Sequence, residues 1–148
     1  MTEAMQQLID AVDYEKYNLI VKLHPVAART LENDRAIVDQ DFETISMYSV
    51  ADFVITDYSA LTYEVAIKGI PLYFYAFDHD EYMEGRNFYI DYDREMPGDI
   101  CTGAEQVMEA IGRDRYDTER EKQFAARYVE KQEGCTDEIA AFAEGFMK

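Results

Sequence analysis

Basic residues are scarce in this chain. Fourteen Lys and Arg stand against 31 Asp and Glu in 148 residues, a formal net charge of −17, and acidic side chains outnumber basic ones on both sides of residue 77. No Lys/Arg run exists that could follow a phosphate backbone, so simple repulsion disfavours nucleic acid as a partner. An anionic membrane surface is disfavoured for the same reason. The exclusion does not reach a small phosphorylated ligand, because a helix N-terminus and one or two side chains hold an anion locally whatever the global charge.

Cysteine is nearly absent. Cys101 and Cys135 occur without close Cys or His neighbours, which argues against a disulfide framework or a zinc site and for two reduced thiols. No metal or cofactor is expected. Also missing are an apolar run of membrane-spanning length, an apolar stretch in residues 1–13 of the kind a signal peptide carries, internal repeats, low-complexity tracts and linkers. The expectation is a soluble, cytoplasmic protein, with any peripheral attachment to the inner face of the membrane left to parts outside this chain. What is present is apolar: 48% of residues are hydrophobic, enough at this length for one domain whose core removes about 70% of the unfolded surface from water.

Apolar spacing sets the organisation. Met5, Leu8, Ile9 and Val12 mark an amphipathic helix, and residues 18–23 (NLIVKL) a buried strand ending at His24-Pro25. A short strand at Ala36-Ile37-Val38 follows, then a helix suggested by Phe42, Ile45, Tyr48 and Ser49. Residues 53–71 read FVITDYSALTYEVAIKGIP. Phe53 to Thr56 is an apolar run suited to a strand covered on both faces, whereas Leu61, Val65 and Ala66 recur at helical spacing. Gly69 and Pro71 stop the helix, and Pro71 to Tyr75 begins another apolar strand, which completes a βαβ unit.

After Tyr75 comes a long aromatic and acidic segment, AFDHDEYMEGRNFYIDYDREMPGDI, with Pro97-Gly98 as a turn signal. Such a segment in a compact domain is more often functional than a spacer. Helices are expected over 104–111, 117–132 and 136–147, with Thr102 capping the first and Asp117 or Thr118 the second. Phe124, Tyr128 and Val129 form the apolar stripe of the second. Its Arg120, Lys122 and Lys131 lie among Glu119, Glu121 and Glu130, the pattern of a solvated, ion-paired face. The fold class is therefore α/β, with about four parallel strands, helices on both faces and a helical tail.

In an open parallel sheet the loops after the carboxyl ends of the strands face the ligand crevice, and the following helix points its free N–H groups there. Two strand ends carry chemistry. His24 is either a loop histidine bonded to a neighbouring backbone group or an imidazole that takes a proton from a hydroxyl or steadies a phosphate oxygen. Ser59 reads as a helix N-cap or, with the N–H groups of Ala60 and Leu61, as a small cradle for phosphate oxygens; the two roles can coexist. Asp57 caps the same helix, orients a partner or forms the turn. Glu64 is a favourable acid near the positive helix end or an acceptor for two ribose hydroxyls. Arg86, a lone cation in an acidic segment, is a structural ion pair or a ligand contact. The aromatic set Tyr73, Phe74, Tyr75, Phe77, Tyr82, Phe88, Tyr89 and Tyr92 reads as core.

KLHP at 22–25, YSVADFVITDYSALTYEVAIKGIPLYFYAFDHDEY at 48–82 and RNFYIDYDREMPG at 86–98 resemble the carboxyl-terminal half of the CDP-glycerol glycerophosphotransferases, the teichoic acid polymerases and primases of GT-B architecture. The resemblance runs from about Leu19 to Gly98 and more loosely beyond. It departs from the family pattern at Ala60, where a second serine is usual, at Glu64 for aspartate, at Asn87 for glycine and at Asp99 for proline. The resemblance implies a Rossmann-like nucleotide-binding half of a longer enzyme that moves glycerol phosphate from CDP-glycerol to a hydroxyl acceptor, lipid-linked, with release of CMP. It implies His24 as catalytic, near the reacting phosphate. Asp57, Ser59, Ala60, Leu61, Glu64 and Arg86 would contact the donor, with Ser59 and its neighbouring amides on the phosphates and Glu64 on the ribose. The opposite wall of the cleft would come from a missing amino-terminal half.

Three rivals remain open at this point. A receiver-like signalling domain would use Asp57 as phosphate acceptor, but it needs an acidic pair after the first strand to hold magnesium, and that loop here is Lys-Leu-His-Pro. A GT-B sugar transferase half would share the Ser59–Glu64 helix. A nucleotide-binding half without catalytic role would share all of it.

Overall fold

The computed structural model describes residues 2–22, 33–39, 41–86, 88–113, 115–129 and 133–146. His24 lies outside the described residues, as does Asn87. Among the described residues five strands and eight helices follow in chain order: α1 (Thr2–Ala11), β1 (Ile20–Lys22), β2 (Ile37–Asp39), α2 (Thr44–Met47), β3 (Val54–Thr56), α3 (Leu61–Lys68), β4 (Leu72–Tyr75), α4 (His79–Gly85), α5 (Tyr92–Glu95), β5 (Asp99–Cys101), α6 (Ala104–Gly112), α7 (Thr118–Tyr128) and α8 (Cys135–Phe146). Every pairing among the described residues is parallel. β1 lies on β2 with Val21 opposite Val38, and β3, β4 and β5 form a second sheet in that order, with Ile55 opposite Tyr73 and Phe74 opposite Ile100.

β4 explains the layering. All four of its side chains are buried, and successive residues on a strand point to opposite faces. Leu72 and Phe74 enter a core with Val65 and Ala66 of α3 and Phe124 and Ala125 of α7. Tyr73 and Tyr75 enter another with Leu8 of α1 and Val107 and Ile111 of α6. An unbroken apolar run is what a strand with helices on both sides requires. Leu72 and Phe74 are fully buried, each worth about 1.5–3 kcal/mol of transfer free energy. The α/β arrangement expected from the sequence is thus present.

Several boundaries differ. β5, not anticipated, is the fifth strand. It reaches β4 through Gly98, where an added Cβ would sit 1.8 Å from the Leu72 carbonyl oxygen; Pro97-Gly98 is a close backbone approach as much as a turn. The helix expected around Phe42–Ser49 is a single turn, because Phe42 and Ile45 are exposed and only Tyr48 reaches the core. α3 ends as anticipated: Gly69 adopts φ +67 and donates its N–H to the Ala66 and Val65 carbonyls, a left-handed closure that glycine makes without steric cost. Asp117 caps α7, its Oδ1 accepting the Arg120 N–H at 2.9 Å. The cap of α6 is not Thr102. Gln106 reaches back, its Oε1 accepting the N–H groups of Thr102 and Gly103 at 3.1 and 3.2 Å.

The solvated face assigned to α7 is also corrected at one residue. Glu121 is 1% exposed, and its Oε1 has no hydrogen-bond partner among the described residues. α8 is the opposite case: none of its residues is buried, and Ile139, Phe142 and Phe146 are each about 70% exposed. Among the described residues no helix is long and apolar enough to cross a membrane.

Candidate functional site at the β3–α3 turn

The βαβ unit delivers residues 57–60 to the carboxyl end of β3, between the strand and the first turn of α3. Ala60 is already helical in backbone, with φ −63 and ψ −13. The Ser59 carbonyl accepts the Thr62 N–H at 3.3 Å and the Thr62 hydroxyl at 2.9 Å, and the Ser59 hydroxyl accepts the Leu61 N–H at 3.3 Å. Ser59 therefore does the work of a cap for the first turn. One N–H of the expected cradle is occupied by that hydroxyl, so an incoming phosphate oxygen would share the Leu61 amide or displace Ser59 from it.

A pocket of about 180 Å³ opens at this turn. Asp57, Ser59 and Thr62 give it polar lining beside Ala60, and Tyr63, Phe88, Ile90, Tyr92, Met96 and Phe124 make up its largely apolar floor. The 76–100 segment builds most of that floor, folded back by α4 and α5. Tyr92, 2% exposed, donates its hydroxyl to the Asp57 carbonyl at 3.1 Å, and the Tyr58 hydroxyl donates to Asp78 Oδ1 at 3.0 Å. The Tyr58 ring stacks on Tyr82, with centroids 3.7 Å apart and planes 12° apart, and lies 5.3 Å from Tyr92. Two hydroxyls and a ring stack thus hold the Asp57–Tyr58 backbone from across the sheet. Burial, then Asp78, raises the Tyr58 phenol, and burial, then Asp57, raises that of Tyr92; both stay protonated donors.

Of the residues singled out in the sequence, Asp57, Ser59 and Ala60 meet at the pocket, and Leu61 contributes its amide. Glu64 and Arg86 do not line it. Glu64 is exposed on α3 beside the Tyr48 phenol, which burial and then the Glu64 carboxylate push up. Arg86 caps the end of α4, with its guanidinium over the Tyr82 ring, 5.3 Å from the centroid. It makes no ion pair among the described residues, so the structural ion pair considered from the sequence is replaced by ring stacking. The aromatic set divides: Tyr73, Phe74 and Tyr75 are core, whereas Phe88 and Tyr92 also floor the pocket and Tyr89 is fully exposed.

One group was missed. His79 follows β4, with Nε2 2.8 Å from Asp93 Oδ1 and Nδ1 3.4 Å from Asp80 Oδ1. Burial alone would lower its pKa, but the hydrogen bonds to Asp80 and Asp93 raise it on balance. The pair clasps the start of α4 to α5 and so closes the segment that floors the pocket. Its signal was the acidic flanking in AFDHDEY and IDYDRE, which does not reveal which carboxylate returns to the ring.

The sequence matches the family model described as CDP-glycerol:poly(glycerophosphate) glycerophosphotransferase over residues 4–139. It is 29% identical to a teichoic acid ribitol-phosphate primase of Bacillus spizizenii, over 95% of this chain and 38% of that protein. It is 33% identical to a teichoic acid glycerol-phosphate transferase of Staphylococcus aureus, over 90% of this chain and 34% of that protein. The fold matches the structure of the wall teichoic acid polymerase TagF with a TM-score of 0.72 at 21% identity, over 95% of this chain and 36% of that one. The chain thus spans little more than a third of the length of these relatives.

Proposed function

Because the chain belongs to the CDP-glycerol:poly(glycerophosphate) glycerophosphotransferase family, we propose that it is the donor-nucleotide half of an enzyme that moves an alditol phosphate from a CDP-alditol to a hydroxyl acceptor. The observation that carries this is the β3–α3 turn: a helix N-terminus with a serine at its mouth, opening on a pocket at the carboxyl end of a parallel sheet. Such a place favours phosphate oxygens because helix N–H groups and the helix dipole point outward together.

In this reading Ser59 and the Ala60 and Leu61 amides hold the donor's diphosphate, Asp57 shapes the turn, Glu64 accepts the ribose hydroxyls and Arg86 neutralises phosphate charge. His24 takes the acceptor's proton as its oxygen attacks the phosphorus next to the alditol. The new P–O bond forms, the bond to the CMP oxygen breaks, and CMP leaves with the negative charge. Catalysis is then mainly alignment and charge stabilisation, which needs an opposite wall. We assign that wall to an amino-terminal half, and the lipid-linked acceptor and attachment at the inner membrane face to the same longer protein. A TagF variant soaked with CDPG shares the fold at a TM-score of 0.59, and the relatives' names include both glycerol and ribitol phosphate, so the alditol is either of these.

Calorimetric titration of the purified chain with CDP, UDP, ADP and cytidine tests the reading. Preference for CDP over the other diphosphates, and over cytidine, is the expected result. Preference for UDP would turn the reading to a sugar transferase half, and no affinity for any diphosphate would remove the site.

A further inference from the structure

The segment after β4 presents an arginine whose partner is a ring. We infer that Tyr82 is a positioning residue for the donor's diphosphate: it carries Arg86 on one face and Tyr58 on the other, and so ties a phosphate-binding cation to the turn that holds Ser59. This inference rests on the proposal that a nucleoside diphosphate binds at that turn.

The geometry is a three-layer stack. Tyr58 lies 3.7 Å from the Tyr82 centroid with nearly parallel planes, which leaves no room on that face. The guanidinium over the same ring, 5.3 Å from the centroid, therefore occupies the other. Helix α4 sets this up, because Arg86 follows Tyr82 by four residues and its N–H bonds the Tyr82 carbonyl at 3.0 Å; residues so spaced share a helix face. The far end of the stack is fixed as well. Tyr58 is bonded to Asp78 and directly precedes Ser59, and Phe88, two residues beyond Arg86, packs on both Tyr58 and Tyr82 and lines the pocket with Ser59.

Stacking uses a guanidinium differently from an ion pair. A carboxylate would consume the in-plane N–H donors, whereas a ring takes only the flat face and leaves the edge free to bind phosphate oxygens in pairs. In a chain of net charge −17, holding an arginine by a ring among Asp78, Asp80, Glu81 and Glu84 keeps its donors available. A lysine, without a flat face, would not be held in this way.

The test is calorimetry with CDP and with cytidine on the full chain and on Tyr82→Phe, Tyr82→Leu, Arg86→Ala and the Tyr82→Leu/Arg86→Ala pair. Tyr82→Phe keeps the ring and should bind both ligands as the parent does. Tyr82→Leu and Arg86→Ala should each weaken CDP about tenfold while changing cytidine less than about twofold, and the double variant should lose no more than Arg86→Ala alone. Equal losses for both ligands, independent losses that multiply, or a Tyr82→Phe variant as weak as Tyr82→Leu would overturn the inference. If Tyr82→Leu does not fold, exposed Arg86 carries the test: unchanged CDP affinity in Arg86→Ala overturns it. A parent chain that fails to bind CDP removes the site before any variant is compared.

Discussion

Glu121→Gln should make the protein more stable at pH 8 and change it little at pH 5. The carboxyl is 1% exposed in the first turn of α7. Burial pushes its pKa up to about 7 from the ordinary 4.5, with the nearby Tyr116 phenol offsetting part of the rise. Glu121 Oε1 and the Tyr116 hydroxyl are both without a well-formed hydrogen bond among the described residues. The folded chain therefore keeps a proton that the unfolded chain gives up above pH 4.5. Stability is full below that point and declines as pH rises, until the folded carboxyl itself ionises near 7. Glutamine has the shape of the protonated acid and no proton to lose. With about 1.4 kcal/mol per unit of displacement, the variant should gain about 2–3 kcal/mol over the parent on going from pH 5 to pH 8, or about 5–10 °C in Tm for a chain of this size. Urea unfolding followed by circular dichroism, for both proteins at both pH values, measures it. Every other carboxylate is common to the two and cancels in the difference. An identical gap between parent and variant at the two pH values would refute the reasoning.

Ser59→Ala should weaken CDP binding by about five- to tenfold and cytidine binding hardly at all, because the hydroxyl acts at the phosphates; calorimetry showing equal losses would reduce Ser59 to a cap. In Glu64→Gln the ribonucleotide should lose more affinity than its 2′-deoxy counterpart, and a competition assay that finds no difference removes the ribose contact. In a full-length enzyme carrying this sequence, His24→Ala should lower transfer by about 10²–10⁴-fold with the circular dichroism spectrum unchanged. Near-normal CMP release would dismiss His24 as the base.

The βαβ unit at 53–75 was legible because two periods and two punctuating residues change within twenty positions, and local chemistry decides each. The cap of α7 was legible to within one residue, Asp117 or Thr118, for the same reason, since a cap is settled within one turn. What escaped depends on partners far along the chain. Glu121 sits in a charge pattern that reads as solvated, and its burial comes from the way α7 lies on the sheet beside α3. Arg86 has Tyr82 four residues before it, yet acidic neighbours on both sides made an ion pair the natural expectation. The bond from Tyr92 to the Asp57 carbonyl spans 35 residues, a distance over which apolar spacing carries no register. β5 is three residues in an acidic stretch, too short for any period. Asp57, Ser59 and Ala60 could be brought together from sequence because they lie within four positions of one turn; the floor beneath them could not.

The two coats of the sheet differ in how they can begin. One starts locally: α3 lies between β3 and β4 and packs on the strands that flank it, and Phe124 and Ala125 of α7 are added over it later. The other closes only when α1, residues 2–11, meets α6, residues 104–112, with the Tyr75 hydroxyl reaching Gln7 at 3.4 Å. A ribosome must therefore release about a hundred residues of chain before Tyr73 and Tyr75 can be shielded. Loops of that length close slowly, and contact between distant segments governs how fast a chain refolds. Refolding should thus be paced by the meeting of α1 and α6, and in the interval a strand with two tyrosines on its open face is what a nascent chain would present to a chaperone or to another copy of itself.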